Sequence, residues 1–122
     1  MEKNKFHKDT FDKTTEERRQ QVLKAAIEEF ALKGYNATSI NDISRNAQIS
    51  IGAMYSYFAS KEDLFLSIVN NAYYLMDGIL KNIADESIDI FDCVKGMIKA
   101  SREFALRHPH LNRIYLDITT QA

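Results

Sequence analysis

The sequence predicts an all-α protein, and three observations carry that expectation. Apolar residues recur at three- and four-residue spacing through most of the chain, the period of a helix that buries one face. No stretch of useful length alternates apolar and polar residues as a half-buried strand would. The 122 residues include one proline and four glycines, so few positions interrupt a helix.

Residues 1–13 are polar and charged without periodicity, and are expected to form a flexible tail. Thr14 with Glu17 reads as a capping box opening the first helix, in which a hydroxyl and a carboxylate satisfy orphan amide donors. Val22, Leu23, Ala26, Ile27, Phe30 and Ala31 give that helix an apolar stripe, and Gly34 ends it where the chain can turn left-handed. Arg18, Arg19 and Lys24 lie off the stripe and read as a solvated face.

The stretch from Thr38 to Phe65 then carries three helix starts close together. Ser39 with Asp42 opens a two-turn helix with Ile40, Ile43 and Ala47 on one face. Ser50 is a second N-cap, followed by inward-facing Met54, Tyr57 and Phe58. Ser60 with Asp63 opens a third helix before Leu64. So tight a succession leaves room only for a helix-turn-helix. Ser44 is the small residue at the crossing, Met54 the bulky one returned into it, and Ile49 an apolar plug between them. Gln48 occupies a turn that favours positive φ, where glycine or asparagine would be easier.

From Ser60, helical spacing continues through Leu64, Phe65, Ile68, Val69, Ala72, Leu75, Met76, Ile79, Leu80 and Ile83 to about Ala84. Asp85 to Ser87 form a break. The next helix carries Ile90, Phe91, Val94, Met97, Ile98, Ser101, Phe104 and Ala105. Pro109 suits the first position of a last helix containing Leu111, Ile114, Tyr115 and Ile118. That helix is still running at Gln121-Ala122, so the helical back half is expected to be partial.

Composition narrows the function classes. Net charge is −1, but through Lys61 ten Lys and Arg face eight Asp and Glu, and beyond it six face nine. A mildly basic front and an acidic back suit a front end that meets an anionic partner. Cys93 is the sole cysteine, which excludes an intrachain disulfide; beside apolar positions it reads as a small buried hydrophobe. No apolar run resembles a signal peptide or approaches a membrane span, so a cytoplasmic location is expected. The four glycines are scattered, and no nucleophile constellation accompanies any serine or cysteine. His108 and His110 lack a partnering carboxylate or thiol and read as capping and surface residues, so no metal, cofactor or enzymatic activity is expected.

The front half resembles the DNA-binding domain of the TetR family of bacterial transcriptional regulators. The resemblance rests on Thr38, Ile40, Asp42, Ile43, Ala47, Ile49, Ser50, Gly52, Met54, Tyr55, Tyr57, Phe58, Lys61, Leu64 and Phe65, with the preceding run Ala25 to Ile40, and spans roughly Glu16 to Ile68. Gln48, Ile51 and Ala53 depart from family-typical glycine, polar residue and threonine. It implies three parts: a tail over 1–13, a helix-turn-helix DNA-binding domain over 14–60, and part of a helical effector-binding and dimerisation domain over 61–122. It further implies a homodimer on a palindromic double-stranded DNA operator, acting as a ligand-responsive repressor, with an unknown small-molecule effector and no membrane partner.

Carried onto this chain, the resemblance places base-edge contacts at Ile51, Gly52, Ala53, Tyr55 and Ser56, and phosphate contacts at Thr38, Ser50, Tyr57 and Lys61. Lys3, Lys5, Lys8 and Lys13 would add backbone contacts if the tail acted as an arm rather than as a disordered end. Tyr73, Tyr74, Met76, Met97, Phe104 and Tyr115 are candidate lining for an effector pocket, against the plainer reading of ordinary core. Not one residue from Ile49 to Ser60 is charged. Without an arginine for guanine, such a helix would read bases through hydroxyls and through apolar contact with thymine methyls, from Ile51 and Ala53. The alternative is an all-helical protein-interaction module that never meets DNA. Burial of Tyr55 and Ser56 inside the molecule would favour it.

Overall fold

A computed structural model describes residues 5–121. Among them are seven helices and no strand: α1 (Asp9–Lys13), α2 (Glu16–Lys33), α3 (Ile40–Ala47), α4 (Ile51–Tyr57), α5 (Lys61–Glu86), α6 (Ile90–Arg107) and α7 (Pro109–Gln121). The chain divides into two units between Asn70 and Asn71, inside α5. The first turns of α5 belong with the front unit because Leu64, Ser67 and Ile68 are buried there.

In the front unit α2 is the brace. Val22, Ala25, Ala26, Phe30 and Ala31 are buried, while Leu23 and Ile27 are half-buried. Its N-cap is Thr15, whose hydroxyl accepts the Arg18 N–H at 3.1 Å, rather than the expected Thr14. The shift has a cause in α1. Thr14 closes that helix, and its carbonyl accepts a 2.6 Å bond from the Arg19 guanidinium. The flexible-tail expectation is likewise corrected for residues 9–13, which are helical and bury Phe11. Lys3 lies outside the described residues.

α3 buries Ile40, Ile43, Ser44 and Ala47. Ser44 tolerates burial at the crossing because its hydroxyl donates to the Ile40 carbonyl at 2.9 Å. Ser39 caps the helix through the Asp42 N–H at 3.1 Å. The Lys33 ammonium, aided by the Ser39 hydroxyl, holds the Asp42 carboxyl below its usual range. The Gln21 amide donates to the Ala47 carbonyl, tying the end of α3 to α2.

The turn into α4 is a Schellman motif. Gln48 is left-handed at φ 60° and ψ 41°. Its N–H donates to the Arg45 carbonyl at 3.2 Å, and the Ile49 N–H reaches Ser44 at 3.1 Å. The positive φ expected at this turn is present, carried by a residue with a Cβ. Ser50 then caps α4 through the Ala53 N–H, and Ser60 caps α5 through the Asp63 N–H, both at 3.1 Å.

The unit beyond Asn70 is built from the rest of α5 with α6 and α7. Pro109 opens α7 as expected, and Asp89 caps α6 by accepting the Asp92 N–H at 2.8 Å. α6 meets α5 closely at Gly96, where an added Cβ would lie 2.8 Å from the Ile83 side chain. A well-filled core does not follow. Among the described residues Ile114 is the buried large apolar side chain here, and α6 buries none. Periodicity reveals which face of a helix is apolar, not what covers it.

Two turn residues should respond oppositely to substitution. Gly34 sits at φ 80° and ψ 167°, a conformation nearly exclusive to glycine, with open space where a Cβ would go. Gly34→Ala should therefore destabilise the protein through backbone strain alone, by about 1–3 kcal/mol. Gln48→Gly should stabilise it by about 1 kcal/mol, by removing the left-handed penalty of a side chain. Thermal and denaturant unfolding would check both, and equal signs would refute the turn assignment.

Candidate nucleic-acid interface

α4 is two turns long and two-faced. Met54 and Tyr57, with Phe58 just beyond, are buried. On the opposite side Ile51 and Tyr55 are each 45% exposed, Gly52 is exposed, and Ala53 and Ser56 are half-buried. Tyr55 thus faces solvent, and the burial that would have excluded groove contact does not occur.

The hydroxyls differ in what they have left to offer. Ser50 is exposed, and its oxygen accepts the Ala53 N–H, so its own proton remains available to an acceptor. Ser56 donates to the Ala53 carbonyl at 2.6 Å, so its oxygen retains accepting capacity only.

Gly52 has no structural reason to be glycine. Its φ is not positive, and a Cβ there would meet nothing nearer than the Ser50 Oγ at 4.0 Å. A glycine that weakens a helix without relieving strain or crowding leaves the backbone open to close approach from outside.

Two residues placed in the interface by resemblance are turned inward. Thr38 is 2% exposed; its hydroxyl lies 2.7 Å from the Gly34 carbonyl and 3.1 Å from that of Glu29, closing the end of α2. Its N–H donates to the Tyr35 carbonyl at 3.3 Å. Tyr57 is 7% exposed, with its ring centroid 5.4 Å from that of Phe11. Thr38 is thus a packing residue, its hydroxyl spent on main-chain carbonyls, whereas Tyr57 packs by its ring alone.

Lys61, the first residue of α5, is half-buried. Its ammonium donates to the Tyr35 carbonyl at 2.9 Å and lies 4.2 Å from the centroid of the Tyr35 ring. An ammonium carries three donors, so this anchorage leaves two for an anion. Tyr35 in turn stacks on Phe30 with centroids 5.9 Å apart, and meets Phe65 edge-on at 5.0 Å.

Sequence reasoning missed Tyr35 as the seat of Lys61. It also missed Arg45, a largely exposed cation at the end of α3 with its guanidinium 3.3 Å from Asp42. The signal for Tyr35 was an aromatic directly after the helix-ending Gly34, too common a pattern to single out. No group of three or more metal-binding side chains occurs among the described residues. No helix among them is long and apolar enough to cross a membrane.

The six residues expected to line an effector pocket are not enclosed. Tyr73, Met97 and Tyr115 are exposed, and Tyr74, Met76 and Phe104 are half-buried. Their faces remain open because α5, α6 and α7 cover one another only in part.

Residues 22–68 match the profile of a family described as bacterial regulatory proteins, tetR family. The chain carries a TetR-family domain over these residues. An HTH-type transcriptional regulator of Aromatoleum, HbdR, is 45% identical over 62 residues, 50% of this chain and 27% of its own length. The HTH-type transcriptional repressor KstR2 of Mycobacterium tuberculosis is 31% identical over 93 residues, 76% of this chain and 46% of its own. A solved structure described as the ketosteroid transcriptional regulator KstR2 of that organism superposes with a TM-score of 0.80 at 28% identity, covering 88% of this chain and 55% of that one. The chain thus spans less than half the length of these curated relatives.

Substitution at Gly52 separates folding from contact. Gly52→Ala should raise unfolding stability by about 0.5–1 kcal/mol, because helix propensity improves and nothing is crowded. Calorimetry showing a loss instead would mean that this glycine has a packing role after all.

Proposed function

We propose that this protein is a TetR-family transcriptional regulator, a ligand-responsive repressor that binds a palindromic operator as a homodimer. One observation carries the DNA reading: α4 buries Met54 and Tyr57, with Phe58 just beyond, and turns the uncharged Ile51 and Tyr55 side chains and Gly52 outward. In this reading α4 enters the major groove, and the α4 helices of two protomers lie about 34 Å apart, one turn of DNA. Ser50 and Lys61 hold phosphates on either side, while Ile51, Gly52, Ala53, Tyr55 and Ser56 face base edges.

Apolar and hydroxyl readers favour thymine methyls over guanine's paired acceptors. The effector is a small molecule held near Tyr73, Tyr74, Met76, Met97, Phe104 and Tyr115, whose open apolar faces await cover. It lowers operator affinity if it binds the DNA-incompetent state more tightly.

Unbiased selection from random duplex pools tests the reading. The protein should return A·T-rich half-sites, and recovery of G·C at the central contacted positions, or of no sequence at all, would count against it. Two substitutions then divide the roles. Lys61→Ala should weaken binding to every sequence and shallow the slope of log affinity against log salt by about 1. Ile51→Ala should leave that slope alone and change which bases are preferred.

A further inference from the structure

The nine residues from Lys5 to Lys13 meet the end of α4 through three kinds of contact. The Lys8 N–H donates to the Tyr57 carbonyl at 2.8 Å. The Lys8 ammonium donates to the Tyr55 carbonyl at 2.7 Å. Phe11 is buried with its ring centroid 5.4 Å from that of Tyr57 and 4.9 Å from that of Phe58. A helix leaves its last four carbonyls without internal partners. In α4 the Met54 carbonyl is met by the Phe58 N–H at 2.9 Å, and Lys8 supplies partners for two more. Its positive charge also lies at the negative end of the helix dipole.

The segment is itself held from two sides. The Arg19 guanidinium of α2 donates to the carbonyls of Asp12 at 3.0 Å and Thr14 at 2.6 Å, fixing the end of α1. Lys5 pairs with Asp9, and with Asp12 at 2.9 Å. His7 Nε2 lies 2.7 Å from Asp12. Such a set of contacts is not that of a loose arm. It joins the brace helix to the far end of the reading helix, bypassing the turn at Gln48.

We infer that residues 5–13 form a clasp that sets the pose of α4 against DNA, with Lys8 as a positioning residue acting through the Tyr55 and Tyr57 carbonyls. The inference rests on the DNA-reading role proposed above for α4. A seven-residue helix is too short to fix its own axis, so its end goes where its cap holds it. The Tyr55 ring projects from one of the two residues whose carbonyls Lys8 grips. Loosening the grip therefore blurs the presentation of that ring without removing any base contact.

Two measurements on the intact protein test the clasp. The first needs no DNA. By amide hydrogen exchange, Lys8→Ala should speed exchange in α4 by about tenfold, the worth of one charge-assisted hydrogen bond, and leave α2 unchanged. Lys8→Arg, which keeps a cationic donor, should restore protection. Unaltered exchange in α4 would overturn the clasp whatever the DNA results. The second compares binding to a selected sequence and to a scrambled duplex. Lys8→Ala should cost about tenfold in affinity for the selected site, with non-specific affinity and salt slope preserved and Lys8→Arg close to wild type. Parallel loss on both duplexes with a slope shallower by about 1 would show a direct phosphate contact and overturn the positioning role. Phe11→Ala, which removes no charge, should reproduce the loss of discrimination if it folds. Failure of the wild-type protein to select any sequence would instead remove the DNA reading, a result the exchange experiment does not share.

Discussion

The front unit depends on holding a two-turn helix that cannot hold itself. Seven residues make too few internal hydrogen bonds to offset the entropy of ordering them, so α4 exists by virtue of what it packs against. Met54 and Phe58 are almost wholly buried, each contributing about 1.5–3 kcal/mol of apolar burial. Those side chains need neighbours, which α3 provides with the small buried Ser44 and α1 with the Phe11 ring against Phe58, while α2 holds α3 in place. Burial fixes the roll of α4 about its axis. The Schellman turn at one end and Lys8 at the other fix where the axis lies.

That arrangement divides the chemistry between the helix and its flanks. α4 carries no charge, and the two lysines beside it, Lys8 and Lys61, each donate to a main-chain carbonyl, of Tyr55 and of Tyr35. A lysine anchored in this way loses reach but gains a defined position, because its flexible stem no longer samples many rotamers. In the DNA reading proposed above, Lys61 would supply affinity from the edge while Lys8 holds the helix, so affinity and the selectivity of an uncharged centre would be separable properties. A helix with arginines along its reading face would mix the two, since guanidinium groups contact phosphates as readily as guanines.

How much of this could be read from the sequence follows from the range of the interactions concerned. Ser39, Ser50 and Ser60 were legible as caps because each bonds an amide three residues away. The left-handed turn at Gln48 and the helix start at Pro109 are equally local. α1 was not legible. Its one buried side chain, Phe11, stands in a polar stretch, and a single apolar residue has no period; its partners Tyr57 and Phe58 lie nearly fifty residues away. The misplacement of the α2 cap by one residue has the same origin, since Arg19 gripping Thr14 depends on α1 being there. Thr38 and Tyr57 mark the limit of carrying roles over by resemblance. Both match the family's pattern, yet Thr38 and the Tyr57 ring are buried, and motif positions do not say which of their residues pack inward. In the back half, spacing identified the helices correctly and overstated their burial, because an apolar stripe reports a need for cover and not its presence.

The anchoring of α5 constrains how any ligand-driven control would act. Leu64 and Ile68 are buried in the front unit, and Phe65 joins Phe30 and Tyr35 in an aromatic cluster that also seats Lys61. Sliding the first turns of α5 past α2 would uncover these side chains, at about 2–5 kcal/mol for a buried leucine or isoleucine lost outright. Tilting α5 as a lever costs none of that burial if the front unit moves with it. Packed cores of this kind respond as rigid bodies rather than by continuous deformation. A ligand acting through α5 would therefore reorient α4 without altering its fold, and the internal contacts of residues 5–70 would be the same in the DNA-competent and DNA-incompetent states.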